Sequence, residues 1–289
     1  MVGAVILVTG ATGEIGVALV GQLSLLDIPF HALVRDVDQG RELLGREVAL
    51  VQGDLEAPDT LPAALEGIER VFLLCASRPD QVELETGMIE AAARAGVRHT
   101  VKMSFFGASP SSPAPYLRWH GEIERVLEAS GMAYTHLRPP LVMQTTVGML
   151  APDGGLYVPA GEGRIGWIDM RDVAAAAVRP LTDDGHEDTA YDLTGPESLG
   201  FGEVAERIAA ATERDVRYVD VPPDAAAEAM TGMGMPDWQV QASMALLALV
   251  REGGLDAVSD AYERLVGVQP HSFAEFARDY TGDLAPVED

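Results

Sequence analysis

Basic residues and cysteine are scarce in this chain, and each scarcity argues against a class of function. The 289 residues include 20 Lys and Arg against 45 Asp and Glu, which gives a formal net charge of -25. Because this charge repels nucleic-acid phosphates and anionic lipid surfaces, we expect neither nucleic acid nor a membrane as a partner. Cys75 is the single cysteine, so no disulfide can form within the chain, which favours a reducing, cytoplasmic setting.

Long apolar runs and metal-ligand spacings are lacking as well. No segment approaches the roughly 18 consecutive apolar residues of a membrane helix, and the apolar segment 5–8 is too short for a secretory signal. The six histidines show no ligand spacing and there is no second cysteine, so no metal site is predicted. A hydrophobic content of 47% is enough for a large core, which predicts a globular protein.

Short apolar segments alternate with amphipathic segments through the first half of the chain, a rhythm typical of a parallel sheet. The pattern predicts strands at residues 5–9, 30–34, 48–52, 71–76, 99–103 and 134–137, and helices at 15–26, 60–65, 82–95 and 116–130. Gly96 and Gly131 are placed as helix C-terminal stops. Later strands are predicted at 190–193 and 216–219, and later helices from near 172 and at 201–212, 224–230, 237–252 and 273–280.

These elements predict an α/β fold, a Rossmann doubly wound parallel sheet with a smaller α/β C-terminal substrate part. Residues 1–150 are predicted to form the dinucleotide-binding domain, whose core also takes in parts of 166–195. Residues 151–289 are predicted to form mainly the substrate-binding part, and residues 284–289 a frayed acidic tail.

Three glycines at a spacing of three lie between the first predicted strand and the first predicted helix: Gly10, Gly13 and Gly16. In a dinucleotide site the first allows a tight turn, the second a close approach of the pyrophosphate, and the third close packing of helix on strand. The N–H groups of the helix N-terminus then face the phosphates, and we expect Thr12 and Ile15 to line this cradle. An ordinary glycine-rich turn is the alternative.

Arg35 ends the second predicted strand, where an NAD enzyme would offer an acidic residue to the ribose hydroxyls. An arginine there suits a 2′-phosphate, which favours NADPH and leaves NADH possible. A solvated arginine, or one that stacks on adenine, stays open because Asp36 follows it. Asp54, after the third strand, is predicted to accept from the adenine amino group or to cap the next turn. Further cofactor contacts are predicted at Leu55, Ala76 and Ser77.

The Tyr-x-x-x-Lys pair of typical short-chain dehydrogenases, in which lysine lowers the tyrosine pKa, is lacking. Tyr116, His120 and Glu124 instead follow each other at intervals of four, so Glu124 could orient the imidazole of His120 as an acid. Packing alone is the alternative. Ser104, after the fifth strand, is predicted to polarise a substrate oxygen, and Lys102 to contact the cofactor or to be solvated.

Several of these motifs together resemble one family. The segments TGATGEIG, LVR, QGDL and HGEIERVLEASGMAYTHLRPP, and later GWIDMRDVA, YDLTGPESLGFGEVAERIA and FAEFARDY, resemble the NmrA-like branch of the atypical short-chain dehydrogenases. The resemblance covers nearly the whole chain and implies a Rossmann core that binds NAD(P)H. Members include NADPH-dependent quinone reductases, relatives of the isoflavone and pinoresinol reductases, and non-catalytic redox-sensing regulators.

The resemblance also implies roles for individual residues. His120 stands where the isoflavone-reductase-like enzymes carry a functional lysine, and related quinone reductases have a similar His-x-x-x-Glu. Arg138 and Pro139 match the turn beside the nicotinamide ring, although Arg138 could serve only a structural ion pair.

The predicted function is an NADPH-dependent reductase that passes hydride to a quinone-like, enone or other conjugated carbonyl compound. His120, Tyr116 or Ser104 would supply or orient a proton, or no dedicated acid would be needed. The alternative is a non-catalytic NAD(P)(H)-binding redox sensor. A small planar apolar substrate, bound by a monomer or homodimer, is expected from soft and aromatic residues, of which ordinary core packing takes a share: Phe105, Phe106, Met143, Met149, Trp167, Met230, Met233, Met235 and Trp238.

Overall fold

The computed structural model describes residues 5–284, and their contacts divide into two units. Unit 1 comprises residues up to Ser111, Arg118–Arg138 and Val173–Tyr191. Unit 2 comprises Ser112–Leu117, Pro139–Asp172 and residues from Asp192 onward. The chain therefore passes between the units several times, and the substrate-binding role of the C-terminal part stays a prediction. The predicted frayed tail, apart from Leu284, lies outside the described residues.

Strands and helices are numbered in chain order. The strands are β1 (Ile6–Val8), β2 (Phe30–Val34), β3 (Leu50–Gln52), β4 (Arg70–Leu73), β5 (His99–Met103), β6 (Ala133–Arg138), β7 (Gly155–Tyr157), β8 (Arg164–Ile165), β9 (Thr189–Asp192), β10 (Leu199–Gly200) and β11 (Arg217–Val219). The helices are α1 (Glu14–Leu25), α2 (Val37–Leu44), α3 (Leu61–Ala64), α4 (Gln81–Ala95), α5 (Pro115–Glu128), α6 (Thr145–Met149), α7 (Met170–Thr182), α8 (Phe201–Thr212), α9 (Pro223–Gly232), α10 (Asp237–Arg251), α11 (Ala261–Val266) and α12 (Phe273–Asp279).

Unit 1 is built on a sheet with the strand order β3-β2-β1-β4-β5-β6-β9 among the described residues. The pairs from β3 to β6 are parallel, and the order reverses direction between β1 and β4. Such a reversal opens a crevice outside the carboxyl ends of the strands, where open α/β sheets bind their ligands. The predicted Rossmann doubly wound sheet is confirmed.

β1 is a continuous apolar run, and so is β4 after Arg70, as expected for strands covered on both faces. Leu7 of β1 and Val71 of β4 are fully buried in one cluster with Met88 of α4 and Ile123 of α5. Gly96 and Gly131 have φ of 82°, so both predicted helix stops adopt the left-handed conformation that glycine favours. β4 ends earlier than the sequence predicts, which leaves Cys75 beyond the strand.

Unit 2 contains helices and two small sheets, the antiparallel pair β8–β10 and the parallel pair β7–β11. The indole of Trp167 is buried, with its ring centroid 5.5 Å from that of Phe201 and 6.1 Å from that of Phe273. These aromatic contacts fix α8 and α12 in the core of this unit. No helix within residues 5–284 combines the length and apolarity needed to cross a bilayer.

Candidate functional site

A cavity of about 480 Å³ opens in unit 1 at the carboxyl ends of β1 to β4. This position is the crevice that the strand order creates, and the volume lies in the usual range for small-molecule sites. Eight residues that the sequence predicts as cofactor contacts line the cavity: Gly10, Thr12, Gly13, Ile15, Arg35, Asp54, Leu55 and Ala76.

The glycine loop has the local geometry of a phosphate cradle. Gly10 has φ of 61°, and a Cβ on Gly16 would lie 2.1 Å from the Gly10 carbonyl oxygen, so both positions require glycine. At Gly13 an added Cβ would meet only the Gly10 oxygen, at 3.4 Å, so the protein alone does not require glycine there. The amides of the first turn of α1, residues 14–16, have no acceptor among the described residues. These donors and the open space beside Gly13 fit a pyrophosphate.

Arg35 and Asp36 have separate tasks at the end of β2. The Oδ1 of Asp36 accepts from the amides of Asp38 and Gln39, at 2.9 and 3.0 Å, and so caps α2. Arg35 lines the cavity, and its guanidinium has no acidic partner within residues 5–284. A cation without a protein counter-ion is the arrangement that suits a ribose 2′-phosphate.

Asp54 caps a turn, which is one of the two roles that its sequence position suggests, and its contact with the adenine stays a prediction. Its Oδ1 accepts from the amide of Glu56 at 3.0 Å, which closes a turn after β3, and the residue also lines the cavity beside Leu55. Ser77 is exposed and does not line the cavity, whereas its neighbour Ala76 does.

Arg78 and Glu56 line the same cavity and were missed in the sequence. The Nη1 of Arg78 pairs with Oε1 of Glu56, and its Nη2 donates to Oδ2 of Asp80 at 2.9 Å. Glu56 follows β3 and Arg78 follows β4, so this ion pair joins loops whose strands are separated by β2 and β1. The only signal of this ion pair in the sequence is a basic residue shortly after the fourth strand.

Cys75 also lines the cavity and is half-buried rather than enclosed in a strand. Burial, and secondly the charge of Glu85, raise the pKa of its thiol to about 11, although Lys102 acts in the opposite direction. The thiol is therefore protonated at neutral pH and is a poor nucleophile.

Lys102 is fully buried, so the predicted solvated state is wrong, and it does not line the cavity. Its Nζ lies 2.9 Å from Oε2 of Glu85, without hydrogen-bond alignment, and 3.1 Å from Nδ1 of His120, and it donates to the carbonyl of Met103. Glu85 was missed in the sequence, where its only signal is a charged residue on the apolar side of α4.

Ser104, Glu124 and Arg138 form a second polar cluster in unit 1. Ser104 Oγ donates to Oε1 of Glu124 at 2.6 Å, and Arg138 donates to both carboxylate oxygens, at 2.8 and 2.6 Å. Burial acts to raise the pKa of Glu124, but the hydrogen bonds from Arg138 and Ser104 and the nearby charges leave it below the ordinary value. The structural ion pair that the sequence left open for Arg138 is therefore present.

His120 is oriented by Lys102, and not by Glu124 as the sequence suggested: its Nδ1 contacts Nζ of Lys102, whereas the carboxylate of Glu124 accepts from Ser104 and Arg138. Burial, and secondly the charge of Lys102, hold the pKa of His120 well below its usual value, so the imidazole is neutral. Tyr116 belongs to unit 2, where it bonds to Ser243, and burial raises its pKa. Pro139 is buried in unit 2.

The chain is similar to known reductases over nearly its whole length. NAD(P)H azoreductase from Xenophilus azovorans is 44% identical over 276 residues, which cover 94% of this chain and 96% of that protein. Quinone oxidoreductase 2 from Escherichia coli is 28% identical over 277 residues, 93% of this chain and 96% of that protein.

A solved structure extends the likeness to the fold. The NADPH complex of the NADPH-dependent quinone oxidoreductase from Escherichia coli has a TM-score of 0.86 at 27% identity, covering 95% of this chain and 99% of that one. The model of the NmrA-like family matches residues 3–277. The resemblance predicted from the motifs is confirmed, and the chain belongs to the NmrA-like family.

Proposed function

We propose that the protein is an NADPH-dependent reductase that passes hydride to a small conjugated acceptor, such as a quinone, an enone or an azo compound. The observation that carries the proposal is the cavity that combines the glycine loop, the first-turn amides of α1 and Arg35, neither of which has a partner within the described part of the chain. The predicted class, an NAD(P)H-dependent oxidoreductase, is confirmed by the azoreductase and quinone oxidoreductase relatives. When bound, the nicotinamide supplies the hydride.

The preference for NADPH rests on the end of β2. Asp36 is used as a helix cap, so it does not compete with Arg35 for the ribose. The relative whose structure was solved with NADPH supports the same cofactor. A charge-assisted contact with the 2′-phosphate is worth about 1.5–3 kcal/mol, or roughly 10- to 100-fold in affinity.

The first experiment follows the oxidation of NADPH and of NADH with a benzoquinone, a cyclic enone and an azo dye. For Arg35→Ala we expect kcat/KM with NADPH to fall by about 10- to 100-fold while the value with NADH changes little. Arg41→Ala is the matched control, since this exposed arginine lies on α2 and outside the cavity.

Two outcomes would contradict the proposal. An equal loss with both cofactors in Arg35→Ala would mean that this residue does not read the phosphate. Tight binding of NADPH without oxidation by any acceptor would favour the non-catalytic sensor instead.

A further inference from the structure

Three buried titratable side chains form a continuous array in unit 1, from Glu85 on α4 through Lys102 on β5 to His120 on α5. Glu85 and Lys102 have no exposed surface, and His120 is 7% exposed. Burying an ion pair at the end of a strand is costly, and packing does not require it, because an apolar pair would fill the same space. The array therefore calls for a functional account.

The contacts of Lys102 fix the tautomer of His120. An ammonium group carries three N–H donors and no acceptor. With Lys102 charged, its contacts are the Glu85 carboxylate, the Met103 carbonyl and Nδ1 of His120, so Nδ1 must accept. The proton of the neutral imidazole then lies on Nε2, which has no hydrogen-bond partner among the described residues.

We propose that Lys102 and His120 form a proton relay that serves the acceptor after it has received hydride. The inference rests on the proposed function. Addition of hydride leaves the acceptor as an oxygen or nitrogen anion, and the Nε2–H bond of His120 breaks as its proton moves to that anion. At the same time an Nζ–H bond of Lys102 breaks and an Nδ1–H bond forms. The acceptor ends neutral, His120 ends as the other neutral tautomer, and Lys102 ends as an amine.

The relay returns to its first state by the reverse path. A proton from water enters at Nε2 of His120, and the proton on Nδ1 goes back to Lys102, so no further reactant is needed. Because His120 gives up the proton on Nε2 as it receives one from Lys102 on Nδ1, its imidazole stays neutral and never becomes an imidazolium beside Lys102. Burial and the Lys102 charge, which hold the pKa of His120 well below its usual value, are compatible with this path and not with an imidazolium donor.

Glu85 is the positioning residue of the array. Its Oε1 accepts from Nε2 of Gln81 at 2.8 Å, which holds the carboxylate toward Lys102. Burial raises the pKa of Glu85, whereas Lys102 and Gln81 favour its charged form. The carboxylate thereby lies beside the buried amino group of Lys102 as its counter-ion.

Ser104 is less suited to the donor role. Its hydroxyl proton is directed at Glu124, whose carboxylate is already bound by Arg138 in two hydrogen bonds. To donate to an acceptor, Ser104 would have to leave this charged partner, whereas Nε2 of His120 has no acceptor to leave among residues 5–284.

The test begins with the protein free of substrate. Nitrogen-15 NMR of the histidine side chains should show His120 neutral, with an unprotonated Nδ1. In the double variant Lys102→Met/Glu85→Gln, which removes both buried charges together, the Nδ1 resonance should move toward the protonated value as the second tautomer becomes populated. The single variant Lys102→Met leaves a buried carboxylate unpaired and serves only as a check on folding.

Turnover supplies the second readout. In the double variant and in His120→Phe we expect kcat to fall by about 100-fold with acceptors that give basic anions, such as enones and azo dyes. With a quinone whose electron-withdrawing groups make its reduced form acidic, the loss should stay below about threefold, since that anion needs no donor. His99→Gln is the matched control, because it removes a buried histidine that lies outside the array.

The outcomes separate the two claims. Unchanged Nδ1 resonances in the double variant, or equal losses of kcat with both kinds of acceptor, would overturn the relay while leaving the reductase intact. No turnover of any acceptor by the wild type would overturn the proposed function and the relay with it.

Discussion

Gly13 and Gly21 offer a matched pair on the first helix, because neither meets a close contact when a methyl group is added. Gly21 has open space around it, and Gly13 has only the Gly10 oxygen at 3.4 Å. Gly13 lines the cavity, whereas Gly21 does not. For Gly13→Ala we expect a free energy of unfolding at most about 1 kcal/mol below that of the wild type, because alanine is a poorer N-cap than glycine. Its affinity for NADPH should fall at least tenfold, because the methyl group occupies the approach of the pyrophosphate.

Isothermal titration with NADPH and urea unfolding measure the two effects separately. Gly21→Ala should bind NADPH with the wild-type affinity. Its free energy of unfolding should be about 1 kcal/mol higher, since alanine favours the helix interior. Unchanged affinity in Gly13→Ala would mean that the phosphates do not pass this residue.

The glycine loop was predictable because its signal is local, in the spacing of Gly10, Gly13 and Gly16 between a strand and a helix. The buried array was not. Whether Lys102 is solvated or enclosed depends on α4 and α5 packing against β5, and Glu85 is remote from it in sequence. Helical spacing alone predicted that Glu124 would contact His120. In the folded protein Glu124 instead accepts hydrogen bonds from Arg138 and Ser104, a result that depends on the same packing.

At the scale of elements, the ion pair between Arg78 and Glu56 joins the loops that follow β4 and β3, across the cavity. We expect this link to slow the release of the cofactor. In Arg78→Met the dissociation rate of NADPH should rise several-fold, and added salt should raise the wild-type rate more steeply than that of the variant, because in the wild type salt screens this pair in addition to the contacts of the phosphates. Stopped-flow NADPH fluorescence measures both rates.

Arg94→Met is the control for this link, since Arg94 pairs with Glu90 along the exposed face of α4. A release rate in Arg78→Met that equals the wild-type rate at every salt concentration would show that the two loops are held together by other contacts.

The boundaries of the strands and helices show where the apolar pattern of the sequence is sufficient to predict them. β2, β5 and α8 have the predicted limits. β4 ends at Leu73 although apolar residues continue to Ala76, because these residues turn away to line the cavity. An apolar residue facing a ligand and one facing the core look alike in sequence.

At the scale of the whole molecule, buried histidines make stability depend on pH. Burial, and then the charge of Arg70, lower the pKa of His99 to about 4, and burial lowers that of His136 to about 4. In the unfolded chain both titrate near 6.5. Between about pH 6.5 and 4 the unfolded state therefore binds more protons, and the free energy of unfolding falls as the pH is lowered. Asp172 and Glu85, whose pKa values burial raises, act in the opposite direction.

The contribution of one histidine can be isolated by comparison with His99→Gln. In this window each buried neutral histidine adds a slope of about 1.4 kcal/mol per pH unit, so up to about 3 kcal/mol accumulates between pH 6.5 and 4. Urea unfolding of both proteins at several pH values gives the slope of the free energy of unfolding against pH. The contributions of the carboxylates are the same in both proteins, so they cancel in the difference between the two slopes. Below pH 6.5 the free energy of unfolding of the variant should change less steeply with pH, by the slope that corresponds to about one proton. Above pH 7.5 the two curves should be parallel. Parallel curves throughout would mean that His99 is protonated inside the folded protein, against the burial of its ring beside Thr135.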